Sequence, residues 1–74
     1  MNRLDELMVE LFPEERDLPP DTPFRQYKTW DSLKHVHLVV GLESRFALDL
    51  SADEIAHLVS RRAVADLLRA KGAV

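Results

Sequence analysis

Leu4, Leu7, Met8 and Leu11 recur at i, i+3, i+4 and i+7, the spacing that gathers side chains on one face of a helix. Phe12 extends that face, and Pro13, which lacks the amide a helix needs, terminates it. From Pro13 to Trp30 the chain has four prolines and no sustained period, so it reads as a long connection, with Phe24 and Tyr27 pinning it to the core. A second helix is predicted to start at Asp31, whose carboxylate can cap the free amides of the first turn, and to run to about Phe46. Its apolar residues are Leu33, Val36, Leu38, Val39, Val40, Leu42 and Phe46. That stripe covers more than half the circumference and predicts the central helix of a bundle.

Leu48, Asp49 and Leu50 lead to Ser51-Ala52-Asp53-Glu54, a capping box that opens a short third helix burying Ile55, Leu58 and Val59. A fourth helix opens near Ser60, turns Val64, Leu67 and Leu68 inward and ends before Gly72. Strand patterns and repeats are lacking. The predicted class is all-α: one domain, residues 1–74, in a four-helix bundle with a short third helix and a long loop between helices 1 and 2.

Seventy-four residues lie near the lower limit for a single hydrophobic core and leave no room for an enzyme cleft walled on every side. Cysteine is absent, so no disulfide or thiolate metal site can staple the fold, and any thiol chemistry must arrive on a cofactor. The start Met-Asn-Arg-Leu-Asp-Glu lacks the features of a signal peptide, and Leu38-Val39-Val40 is too short to span a bilayer. A cytoplasmic, soluble, monomeric protein without membrane partners is expected. The net charge is −3, with two basic and seven acidic groups in residues 1–21 against eight and six in residues 22–74. The only basic doublet, Arg61-Arg62, is too small a footprint for nucleic acid.

Asp31-Ser32-Leu33, followed by a helix ending Leu42-Glu43-Ser44-Arg45-Phe46, resembles the Asp-Ser-Leu signature and second helix of acyl carrier proteins. The resemblance continues through the capping box at Ser51 and the helix ending Ala65-Asp66-Leu67-Leu68, and so spans most of the chain. Trp30 before the motif and Lys34-His35 after it look like the stand-alone carriers of specialised biosynthetic pathways. The resemblance implies a 4'-phosphopantetheine arm, drawn from coenzyme A, on Ser32, with Asp31 and Leu33 beside it. It implies that Asp31 assists a phosphopantetheinyl transferase near its metal ion. It also implies a non-enzymatic protein that holds acyl groups as thioesters, loaded by a ligase or acyltransferase and used by a ketosynthase or similar acyl-processing enzyme. Lys34, His35, His37, Val40, Gly41 and Ser44 are the partner-facing positions it implies. The chemistry suits the residues: a serine in the first turn of a helix lies among unpaired amides at the positive end of the dipole, where a phosphodiester is favoured.

Other readings fit less of the sequence. Asp31, Ser32 and His35 cluster as a hydrolase would need, but a general base aligned by a third group and an oxyanion turn are not evident. His35 and His37, two apart, point to nearly opposite sides of a helix and His57 belongs to another element, so no metal site is expected. A helical interaction domain would share every structural feature and differ only at Ser32. Peptide-synthetase carriers usually place glycines before the modified serine, whereas Thr29-Trp30-Asp31 stand here, which favours an acyl cargo over an activated amino acid.

The chain also departs from carriers of fatty-acid synthesis, which line the second helix with carboxylates. Lys34, His37, Ser44 and Arg45 occupy those positions and Glu43 is left as the main acid. Part of the set Lys34, His37 and Arg45 is therefore expected beside the arm, facing acidic or neutral partner surfaces. Arg61 stands where the family usually has an apolar residue, which predicts weaker packing between the third and fourth helices.

Overall fold

The computed structural model describes residues 3–73. Four α-helices follow in order: α1 (Arg3–Leu11), α2 (Ser32–Phe46), α3 (Ala52–Ala56) and α4 (Arg61–Ala70). The connection between α1 and α2 contains two single 3-10 turns, Pro13–Glu15 and Phe24–Gln26. The architecture is all-helical, and no described helix is long and apolar enough to cross a membrane.

α2, α3 and α4 start where local chemistry supplies a cap. Asp31 Oδ1 accepts the Lys34 amide at 2.8 Å, Ser51 Oγ the Glu54 amide at 3.1 Å and Ser60 Oγ the Ala63 amide at 3.1 Å. α1 stops at Leu11, one residue short of the predicted extension: the Phe12 amide still donates to the Met8 carbonyl at 2.8 Å, but Pro13 pushes the Phe12 backbone out of the helical region. At the end of α2, Ala47 takes the left-handed conformation (φ 52°) that usually falls to glycine.

The long connection is packed rather than loose. Phe24 and Tyr27 are buried, as predicted, and form an aromatic core with Phe12. The Phe24 amide donates to the Val59 carbonyl at 2.8 Å and the Arg62 amide to the Pro20 carbonyl at 3.0 Å, tying the loop to the start of α4. Glu15 is buried and accepts the Thr29 hydroxyl. Burial pushes the Tyr27 phenol up, with the Arg61 guanidinium opposing that shift and the Glu15 carboxylate adding to it. Arg61 itself turns toward α1, where it pairs with Asp5.

Two expectations about the core are corrected. Of the wide α2 stripe only Leu38 and Leu42 are fully buried, with Val39 and Phe46 partly covered; Leu33, Val36 and Val40 are 61, 53 and 57% exposed. α1 covers one flank of α2, the aromatic loop and the later helices cover another, and no described element covers the third. Val59 is likewise 57% exposed, because it lies beyond α3 and uses its carbonyl, not its side chain, to hold Phe24.

The capping box at α3 is complete, since the Ser51 amide also donates to Glu54 Oε1 at 2.9 Å. That bond and the Lys71 ammonium at 2.9 Å hold the Glu54 carboxyl below its usual range. A carboxyl lowered in the fold stabilises it fully above the ordinary carboxylate range and progressively less as pH falls through and below it. Ser51→Ala should cost about 1 kcal/mol, read as a lower urea midpoint with unchanged slope. An unchanged midpoint would deny Ser51 a capping role.

Candidate functional site

The site is the first turn of α2 and its surroundings. Asp31, in extended conformation (φ −152°, ψ 176°), has one carboxylate oxygen on the Lys34 amide, and its carbonyl accepts the His35 amide at 3.1 Å. Ser32 follows as the first helical residue, and its side chain is exposed and makes no hydrogen bond within the described protein. Free helix-start amides and a fifteen-residue dipole make this end attractive to an anion. The hydroxyl is thus exposed, without a hydrogen bond to the described protein, and at the end of the dipole that favours negative charge. Leu33 is exposed beside it.

The six positions expected to face partners divide among three environments. Lys34 turns to α1: its ammonium donates to the Leu11 carbonyl and lies 5.4 Å from the centroid of the Phe12 ring. It satisfies the unpaired, electronegative end of α1, so its charge is not part of a docking face. His35 is half-buried on the opposite flank, edge-on to Trp30 at 5.4 Å and 79°. His37, Val40, Gly41 and Ser44 line a shallow groove between α1 and α2. Gly41 is there for packing, because a Cβ on it would come within 2.8 Å of Leu7 Cδ1.

The remaining charges of α2 are also diverted. Arg45 pairs with Glu10 of α1, and its carbonyl accepts from Arg3 at 3.2 Å. Glu43, expected as the main outward acid, accepts the Leu50 amide at 3.0 Å and closes the turn after α2. Of the set Lys34, His37 and Arg45 expected in part on the outward face, Lys34 and Arg45 turn to α1 and only His37 stays exposed there. Leu33, Val36 and Val40 form an exposed apolar strip that begins next to Ser32, and the exposed His37 borders it on the same face of α2.

On the other flank lies an open groove of about 470 Å³ between the loop before α2 and α3. Trp30, stacked on Phe24 at 4.7 Å and 9°, and the buried Leu58 contribute its apolar surface. Ile55, Ala56 and Val59 line one side, and Pro23, Arg25 and His35 complete it. Sequence reasoning did not find this groove. Residues 23–25 and 55–59 are far apart in sequence and are tied by the Phe24–Val59 hydrogen bond, a meeting that no local spacing signals.

His35 is not hydrogen-bonded to Ser32 and packs on Trp30 instead, so a general base is not brought to the hydroxyl. His57 Nδ1 lies 2.6 Å from the Asp53 carbonyl, and no cluster of metal-ligating side chains occurs among the described residues. Comparison with protein-family models, with curated proteins and with solved structures gave no match.

Proposed function

We propose that this chain is a carrier domain whose Ser32 receives a 4'-phosphopantetheine arm and holds acyl groups on it as thioesters. The observation that carries this reading is the free, exposed Ser32 hydroxyl at the head of α2, set by the Asp31 cap. The bond from Ser32 Oγ to the arm's phosphorus forms as the phosphorus–oxygen bond to the rest of coenzyme A breaks, and the hydroxyl proton passes to the transferase. The arm supplies the thiol that a chain without cysteine lacks. Asp31 fixes the turn that presents the hydroxyl, and its exposed carboxylate is placed to meet the transferase's metal ion. The groove at Trp30 offers the cargo an apolar resting place on the arm's own side of α2.

The test is the intact mass of the protein expressed with and without a phosphopantetheinyl transferase. A carrier gains the mass of one arm, on the peptide that contains Trp30-Asp31-Ser32. An unchanged mass would leave a helical interaction domain, a reading that the exposed strip of α2 also suits. An activated amino acid remains the alternative cargo.

Partner docking on this reading is apolar. Because the strip of Leu33, Val36 and Val40 is apolar and has only His37 beside it, with Lys34 and Arg45 paired to α1, encounter with a transferase or ketosynthase depends on a complementary nonpolar surface more than on opposite charge. Arm uptake should therefore change less than about twofold between roughly 0.05 and 0.5 M salt, a range that strongly screens exposed charges. Val40→Glu should slow uptake by about tenfold, since docking would then desolvate an unpaired carboxylate at a cost of about 1.4 kcal/mol or more. A steep salt dependence with no effect of Val40→Glu would reverse the assignment.

A further inference from the structure

We propose that the groove beside Ser32 is built for an acyl cargo that ends in a carboxylate, with Arg25 as the residue that recognises that end. This inference rests on the carrier reading and names the class of cargo within it.

The first observation is an imbalance among the arginines. Arg16, Arg45, Arg61, Arg62 and Arg69 each pair with a carboxylate, and Arg3 donates to the Arg45 carbonyl. Arg25 alone among the described arginines has neither kind of partner, although the chain has thirteen acidic residues to offer. Arg25 stands in the short turn Phe24–Gln26, whose position is fixed by buried Phe24 and by the Phe24–Val59 hydrogen bond. Its guanidinium is thus an unpaired cation carried on a firmly held backbone.

The second observation is where Arg25 stands. This exposed residue is one of those that line a groove with Trp30, Phe24 and Leu58, and no carboxylate lines the groove with it. The second polar group there, the His35 ring, packs on Trp30 and has no hydrogen-bond partner within the described protein. An occupant that complements this surface has an apolar segment to cover the indole and an anionic end to meet the guanidinium, which can bind a carboxylate in bidentate fashion.

Continuity with the attachment point selects the occupant. Trp30 and His35 bracket Ser32 in sequence, and His35 is its i+3 neighbour on α2, so an arm leaving Ser32 begins at the groove's edge. A half-thioester of a dicarboxylic acid has the required pattern. An aminoacyl cargo places its ammonium near Arg25 with no acid to compensate. A simple saturated acyl chain covers the indole but leaves the guanidinium unanswered.

The experiment loads Ser32 from three coenzyme A thioesters of equal chain length, ending in a carboxylate, a methyl and an ammonium group. Intact mass first records whether the arm is taken up. Emission of Trp30, the only tryptophan, and the rate of thioester cleavage by hydroxylamine then report occupancy of the groove. The carboxylate-ended cargo should shift the emission and be cleaved about threefold more slowly than the other two, the scale of one exposed ion pair. Arg25→Ala should erase that difference while leaving arm uptake unchanged, and Arg25→Lys should retain part of it. Uptake without the difference, or a difference that survives Arg25→Ala, would overturn the cargo assignment alone. Failure of uptake in all three cases would overturn the carrier reading and this inference with it.

Discussion

Ser32→Ala protein should take up no arm at all from coenzyme A, however long it is incubated with a transferase. Three other serines compete for the assignment, and the structure separates them. Ser51 and Ser60 also stand at helix starts, but their hydroxyl oxygens already accept the Glu54 and Ala63 amides, each at 3.1 Å. A phosphodiester there would displace the cap that forms the helix. Ser44 is exposed but lies in the last turns of α2, near the negative end of the dipole, where added negative charge is disfavoured. Ser32 alone combines exposure, a free hydroxyl and the positive end. The substitution also isolates chemistry from folding, because Asp31 and its bond to the Lys34 amide remain and alanine is a strong helix former. Its stability should stay within about 0.5 kcal/mol of the unchanged protein. Uptake of one arm by the folded variant would move the site elsewhere.

What was legible in the sequence was local. The starts of α2, α3 and α4 follow from Asp31, Ser51 and Ser60, because a cap is a bond between a side chain and an amide within three residues. The buried face of α1 and the anchoring of the loop by Phe24 and Tyr27 were legible for a related reason: spacing and bulk report which side chains need cover. What was not legible was which neighbours exist to provide it. Periodicity marks Leu33, Val36 and Val40 as apolar but cannot say that no described element reaches that side of α2. It likewise places Lys34 and Arg45 off the stripe without showing that the Leu11 carbonyl and Glu10 wait on α1 to receive them. Ala47 in a left-handed conformation carried no signal, since glycine is the residue that announces such a stop.

The same distinction predicts how stability is spread along the chain. Phe12 is 1% exposed, and its ring meets Phe24 at 5.9 Å, Trp30 at 5.4 Å and Tyr27 edge-on at 5.2 Å, with the Lys34 ammonium at 5.4 Å. It also ends α1, so it joins the first helix, the long connection and the first turn of α2 at one point. Phe12→Ala would leave a cavity among three aromatic rings and remove the surface over which Lys34 is held. The expected cost is about 3–5 kcal/mol, against a total stability of roughly 4–11 kcal/mol for a domain of this length. Leu33→Ala, on the exposed strip, should cost no more than about 0.5 kcal/mol. Urea unfolding followed by circular dichroism and by Trp30 emission should show a midpoint for Phe12→Ala far below that of Leu33→Ala. The Trp30 signal should also be altered before unfolding begins, because the indole loses a stacking partner. Equal midpoints for the two variants would show that the aromatic cluster does not hold the site in place.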